Sequence, residues 1–251
     1  MRAVNVALFV TCLTDHVYPQ VGVAVVEVLE RLGCSVSFPE GQTCCGQPFR
    51  NNGFEPEARR LARRMIPIFE QADYVVTPSG SCAATVREAY EQMLRDEPEW
   101  CARARRLAER TFEFVEFLTN VLRVDLRALG ARRTGRVTYH YSCHLRGLGL
   151  KEEAVDLLRA IEGLTHVPLE HREQCCGFGG TFLVKFPWIS GPLAREKAQC
   201  IRATGAPVVV SNEAGCTMTL TGACRREGVD VRFAHVAEIL AESLRRPEQA
   251  P

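Results

Sequence analysis

Short apolar runs alternate with amphipathic stretches through most of the chain. The run at 4–10 is typical of a buried strand, and after it Val21, Val25 and Val28 recur at helical spacing. The same alternation predicts strands at 35–38, 74–77, 137–141, 166–169 and 208–211, and helices opening at Pro56 or covering 86–94, 152–161 and 189–202. Strands that alternate with helices imply parallel sheets with right-handed crossovers, so the predicted fold class is α/β.

The chain also repeats itself, and cysteines mark the repeat. Each half carries four cysteines, of which two are adjacent and followed by glycine: Cys12, Cys44, Cys45 and Cys82 in the first half, and Cys143, Cys175, Cys176 and Cys216 in the second. In both halves 31 residues separate the first cysteine from the adjacent pair, and 36 or 39 residues separate the pair from the last cysteine. A repeat of this size predicts two similar domains, each with its own core.

The predicted domains are tandem duplicates, each with three layers and a short parallel sheet, related by pseudo-two-fold symmetry. The first covers 1–124 and the second covers 137–251. The segment between them, 125–136, is the predicted linker because it combines glycines with several arginines.

All eight repeated cysteines follow the carboxyl end of a predicted strand. In an open parallel sheet the loops after these strand ends emerge at one edge, where ligands bind. We therefore expect the four thiols of each half to converge on one site. The eight cysteines are the candidate metal ligands and cofactor-binding residues.

Composition narrows the functional classes. The 251 residues carry 31 basic and 30 acidic side chains, and this balance argues against nucleic-acid binding. No apolar run reaches the ~18–20 residues of a membrane-spanning helix. Twelve cysteines in a chain of this length, with no export signal, indicate metal or redox chemistry in a reducing compartment. The expected location is cytoplasmic.

Three kinds of chemistry are open to four convergent thiols. A tetrahedral zinc site is one, although zinc ligands usually occur as knuckles two to four residues apart. Adjacent cysteines favour an iron–sulfur cluster, because the two thiolates can ligate different irons. Gly46 and Gly177 would let the backbone approach such a cluster and donate N–H groups to sulfur. A dithiol redox site, or a nucleophile at Cys143 with His144 and His140 near it, leaves the duplication unexplained.

Several stretches carry a family resemblance: Phe9–Cys12, Phe38–Glu40, Cys44–Pro48, Gly80–Cys82, Asp96–Trp100, Cys175–Phe182 and His235–Glu238. The two Cys-Cys-Gly repeats resemble the cysteine-rich domains of heterodisulfide reductase and of the glycolate oxidase iron–sulfur subunit. Over nearly its whole length the chain is similar to the lactate utilization protein A family.

The resemblance implies an iron–sulfur electron-transfer subunit with one or two clusters of the 4Fe–4S type. It implies work with two sister subunits, one of them ferredoxin-like, in oxidising L-lactate, a small 2-hydroxy acid, to pyruvate without a nicotinamide cofactor. The alternatives are a structural zinc-binding scaffold and an iron–sulfur subunit of a related glycolate or disulfide oxidoreductase.

One departure from the family pattern affects the site. The pattern ends each repeat in Cys-x-x-Cys, but Thr85 and Thr219 stand where the fifth cysteine would be. We therefore expect four-cysteine clusters, or sites completed by another group. The remaining cysteines are interpreted as buried structural residues: Cys34, Cys101, Cys200 and Cys224.

Overall fold

The computed structural model describes residues 4–245, so the ends of the predicted domains, residues 1–3 and 246–251, lie outside it. The chain forms two compact units, one extending to Phe117 and the other beginning at Leu118. Each unit contains one four-stranded sheet in which all neighbouring strands run parallel. The predicted α/β class, with tandem units built on short parallel sheets, is confirmed.

The first unit has the strand order β2-β1-β3-β4. Its elements in chain order are β1 (Val4–Leu8), α1 (Cys12–Val17), α2 (Pro19–Arg31), β2 (Cys34–Ser37), α3 (Gln47–Asn51), α4 (Glu55–Phe69), β3 (Tyr74–Thr77), α5 (Gly80–Ala84), a π-helical turn (Thr85–Ala89), α6 (Tyr90–Met93), α7 (Pro98–Ala108), β4 (Thr111–Glu113) and α8 (Phe114–Glu116). A second π-helical turn, Phe117–Val121, follows α8.

The second unit has the equivalent order, β6-β5-β7-β8. Its elements are β5 (Arg132–His140), α9 (His144–Gly147), α10 (Glu153–Ala160), β6 (Glu162–Val167), α11 (Phe182–Lys185), α12 (Pro187–Thr204), β7 (Val208–Ser211), α13 (Ala214–Arg226), β8 (Arg232–His235) and α14 (Val236–Leu244). Residues 132–136, which lie in the segment predicted as a linker, form the first part of β5.

Apolar faces at helical spacing hold each unit together. On α4 the buried residues include Ala58, Ala62 and Met65, and they pack with residues of β1 and β3 in one core cluster. The corresponding face of α12 contributes Ala194 and Ala198 to the core cluster of the second unit. Burial of such side chains is the main favourable term in forming each unit.

The strand order positions a crevice at the same place in both sheets. The chain adds β2 on one side of β1 and β3 on the other, so β1 and β3 are neighbours at the point where the order reverses. In open α/β sheets the ligand crevice lies outside the carboxyl ends of the strands at this point. The segments after β1 and β3, and likewise after β5 and β7, therefore line the predicted sites.

Within residues 4–245, none of the helices combines the length and the apolar character that crossing a bilayer takes.

Candidate metal centres

The first centre gathers four sulfurs from three segments. Cys12 is the first residue of α1, and Cys44 and Cys45 lie in the loop between β2 and α3. Cys82 is the third residue of α5, where the Ser79 hydroxyl accepts a hydrogen bond from its backbone N–H at 3.3 Å. Thr11, just before Cys12, has a φ of +71°, a conformation that L side chains rarely adopt, so the backbone is strained beside the centre.

These sulfurs form a continuous series of contacts. The thiols of Cys12 and Cys45 donate hydrogen bonds to the sulfur of Cys44, and Cys45 also contacts Cys82. The bonds from Cys12 and Cys45 lower the pKa of the Cys44 thiol to about 3, helped by the backbone N–H of Gly46 at 3.5 Å. Bonding to Cys44 and Cys82, together with burial, raises the pKa of Cys45. Cys44 is thus held as a thiolate, the form that binds metals.

The second centre has the same plan. Cys143 caps α9, Cys175 and Cys176 lie between β6 and α11, and Cys216 is the third residue of α13. The Sγ atoms of Cys176 and Cys216 are 3.0 Å apart. Hydrogen bonds from Cys143 and Cys176 lower the pKa of the Cys175 thiol to about 2. Cys143 and Cys175 are exposed, whereas Cys176 and Cys216 are buried.

The glycine after each cysteine pair is required by its backbone and by a neighbouring helix. Gly177 has a φ of +85°, and a Cβ there would lie 2.6 Å from the carbonyl oxygen of Ser190 on α12. Gly46 has a φ of +92° and lies against Ala58 on α4. Each glycine N–H points to the first sulfur of its pair, at 3.3 Å from Cys175 in the second unit. The glycines therefore both seat the cysteine loop on a helix and supply a donor to sulfur.

Two polar residues of the second unit lie beside its sulfurs although no motif marks them. His140, the last residue of β5, is buried. One of its ring nitrogens and the sulfurs of Cys176 and Cys216 all lie within 4.8 Å of one another. Burial, and then the charge of Lys197, lower the pKa of the His140 imidazole to about 3. Lys197 is fully buried on α12, and its Nζ donates to the carbonyl oxygen of His171.

The sequence marked His140 only as a neighbour of Cys143, and a comparison of the two repeats is the signal that would have assigned both His140 and Lys197 to the site. His140 stands three residues before Cys143, and Phe9 stands three residues before Cys12. Lys197 continues the buried stripe of α12 at the position that Met65 takes on α4. A polar residue at the place of a core residue in the sister repeat indicates a site.

The positions of the missing fifth cysteine differ between the repeats. The Thr85 hydroxyl donates to the carbonyl oxygen of Ser81 at 2.8 Å. The Thr219 hydroxyl is buried without a hydrogen-bond partner in the described part of the chain. Neither threonine supplies a sulfur, so each centre has four thiols.

The remaining cysteines are not members of the two repeated sets, although Cys200 and Cys224 share a core cluster with Cys176 and Cys216. Cys200 and Cys224 belong to the apolar core of the second unit, and burial raises the pKa of Cys224 to about 11. Cys34 is buried in β2, where burial likewise raises its pKa. The thiol of Cys101 on α7 contacts the carbonyl oxygen of Glu91 at 3.9 Å. These surroundings match small apolar side chains rather than ligands.

Comparison with known proteins places this arrangement in a family. The cysteine-rich (CCG) domain model matches residues 6–87 and 137–221, which contain both sets of four cysteines. Lactate utilization protein A of Anoxybacillus flavithermus is 48% identical over 237 residues, covering 94% of this chain and 98% of the relative. The protein of the same name from Halalkalibacterium halodurans is 46% identical over 246 residues, covering 98% of this chain and 100% of the relative. The chain belongs to the lactate utilization protein A family. The resemblance in the cysteine motifs is confirmed over almost the full length.

A solved structure shares the fold at low sequence identity. A hypothetical protein from Helicobacter pylori superposes with a TM-score of 0.65 at 10% identity, and the match covers 99% of this chain and 51% of that chain.

Two cysteine-rich domains, each with four cysteines brought together, are suited to a metal cofactor. The sulfurs of each centre are donors that iron and zinc both accept.

Proposed function

We propose that this protein is the iron–sulfur electron-transfer subunit of a multi-subunit, cytoplasmic complex that oxidises L-lactate to pyruvate. The observation that carries the proposal is the pair of four-sulfur sets at the carboxyl ends of two parallel sheets, in a chain of the lactate utilization protein A family. A reducing compartment agrees with all twelve cysteines being free thiols.

The donor sets fit an iron–sulfur cluster better than a mononuclear zinc ion. Adjacent sulfurs such as Cys44 and Cys45 can bind different metal atoms, and the backbone N–H of Gly46 supports the thiolate beside them. Cys82 and Cys216 lie in the first turns of helices, whose N-terminal ends stabilise negative charge on sulfur. A cluster bound here supplies one-electron redox chemistry.

Partner subunits are part of the proposal because lactate oxidation removes two electrons as a hydride equivalent. The sequence has neither a flavin nor a nicotinamide motif to take that hydride. Exposed apolar side chains after the second cysteine pair, at Val184, Phe186, Trp188 and Ile189, support contact with the ferredoxin-like sister subunit. This chain then accepts electrons from one partner and donates them to the next acceptor.

A growth experiment tests this role. Deletion of the gene, in a host with no second lactate dehydrogenase, should abolish growth on L-lactate and leave growth on pyruvate intact. A copy with both cysteine pairs changed to serine (Cys44, Cys45, Cys175 and Cys176) should fail to restore growth on L-lactate, because the centres lose half their thiolates.

The matched control changes two cysteines that lie outside the centres. A copy with Cys101→Ser and Cys224→Ser should restore growth, since neither cysteine belongs to the repeated sets: Cys101 contacts the Glu91 carbonyl oxygen, and burial raises the pKa of Cys224. Full rescue by the variant without the cysteine pairs would show that the clusters are dispensable, which would favour the scaffold alternative.

A further inference from the structure

His140 is a buried polar side chain with no partner of its own. It is 1% exposed, and neither Nδ1 nor Nε2 makes a hydrogen bond within residues 4–245. Buried imidazole nitrogens are nearly always paired, so an unpaired ring at the end of a strand that lines a site indicates that the ring binds another group. The side chains that the ring faces show which kind of group it binds.

The ring faces sulfur. One of its ring nitrogens and the Sγ atoms of Cys176 and Cys216 all lie within 4.8 Å of one another, and all three residues are buried. Imidazole nitrogen and thiolate sulfur are the two donor types that iron–sulfur and zinc sites combine. Within residues 4–245, this is the one group of histidine, cysteine and carboxylate side chains in which three such donor atoms all lie within 4.8 Å of one another.

At the position equivalent to His140, the first repeat has no metal-binding side chain. Phe9 occupies the equivalent position and packs against Phe69, with ring centroids 5.5 Å apart. Both rings belong to the apolar core of the first unit. The two repeats thus share their cysteines but differ at this buried position, where the first repeat has an apolar side chain and the second has a side chain that can bind a metal.

We propose that His140 is a metal ligand of the second centre, binding together with Cys176 and Cys216, while the first centre is bound by thiolates alone. The inference rests on the proposed function only in requiring a metal at the second set of cysteines. His140 is then the fifth donor of this centre, in which Thr219 stands at the place of the fifth cysteine. Since imidazole is neutral and thiolate is anionic, the second centre should have the higher reduction potential, as histidine-ligated iron–sulfur centres do.

The test uses the full-length protein, prepared without oxygen, with Cys44→Ser and Cys45→Ser to remove the first centre. All metal signals then come from the second centre. With ¹⁵N-labelled histidine, pulsed EPR of the reduced centre detects a coordinated imidazole; if metal analysis finds zinc, X-ray absorption at the zinc edge replaces it. We expect one histidine nitrogen bound to the metal. A loaded second centre without this nitrogen overturns the proposal, whatever any variant shows.

Three further variants sharpen the result. His140→Cys keeps a donor and should retain metal while losing the nitrogen signal, whereas His140→Phe copies the first repeat and should weaken metal binding by about tenfold or more. His166→Phe is the control, because His166 on β6 also has an unpaired Nδ1 but lies outside the sulfur group, so metal and signal should both persist. A nitrogen signal that survives in His140→Cys contradicts the assignment.

Failure of this inference is distinguishable from failure of the proposed function. Iron and sulfide in the first centre, with no metal in the second, would overturn the histidine ligand and leave the electron-transfer role standing. Zinc bound by His140, with no iron in either centre, would support the ligand and contradict the role.

Discussion

Lys197 places a buried ammonium group beside the sulfurs of the second centre. Its side chain is fully buried, and burial lowers its pKa, while the charges of Cys200 and Cys176 oppose that shift. Met65 takes the equivalent place on α4, where its sulfur accepts a hydrogen bond from the backbone N–H of Thr43 at 3.2 Å. The second repeat therefore has a basic side chain at the position where the first repeat has a neutral one.

Lys197→Met, which copies the first repeat, should lower the reduction potential of the second centre by tens of millivolts. The reduced form of a cluster carries one more negative charge, and a nearby buried cation stabilises it. The measurement is a redox titration followed by EPR in the Cys44→Ser, Cys45→Ser background. Lys185→Met, at an exposed lysine of α11, is the control and should leave the potential unchanged. An unchanged potential in the Lys197→Met protein with full metal content would contradict this account of the charge.

At the scale of elements, the junction between each cysteine pair and its helix fixes where the thiols lie. Gly177→Ala should destabilise the second unit by about 2–4 kcal/mol, because the φ of +85° disfavours a side chain and the Cβ would lie 2.6 Å from the Ser190 carbonyl oxygen. Gly180→Ala is a matched control with a φ of +64° and nothing within 4 Å of its Cβ, so about 1–2 kcal/mol is expected.

Urea unfolding of the two glycine variants and the unchanged protein, at equal metal content, measures these differences. Equal losses in both variants would show that backbone conformation alone, and not the contact with α12, requires glycine after Cys176.

The elements show how far sequence patterns reach. The apolar runs predicted 74–77 and 208–211 with the bounds of β3 and β7. The fourth strands, β4 and β8, were not predicted, because each is short and contains a charged residue, so that neither forms an apolar run like those of β3 and β7. The helices that follow β4 and β8 do match between the repeats. Each begins with a capping box, in which Glu116 and Glu238 occupy the same position.

The cysteines of the candidate site were predictable from the sequence, and the polar residues beside them were not. Spacing and the parallel-sheet rule brought the four thiols of each half together, because the loops that follow the carboxyl ends of parallel strands all lie at one edge of the sheet. His140 and Lys197 could not be found in that way. Each is a single residue in an apolar run or stripe, and its role depends on what it touches in three dimensions.

At the scale of the whole molecule, duplication has produced two centres on one chain. The first lies in a core cluster with Phe9, Met65 and Tyr90, whereas the second adjoins His140 and Lys197. A neutral ligand and a cation both favour reduction, so the second centre should be the stronger electron acceptor of the two. A chain with two unequal centres suits a relay between partner subunits.

The central claim is that both sets of sulfurs hold iron–sulfur clusters. The most direct test is an analysis of iron, acid-labile sulfide and zinc in the full-length protein purified without oxygen. We expect iron and sulfide in equal amounts, a loss of about half when only Cys44 and Cys45 are changed to serine, and no loss in the Cys101→Ser, Cys224→Ser control. Zinc without sulfide, or an equal loss of iron in the control, would contradict it.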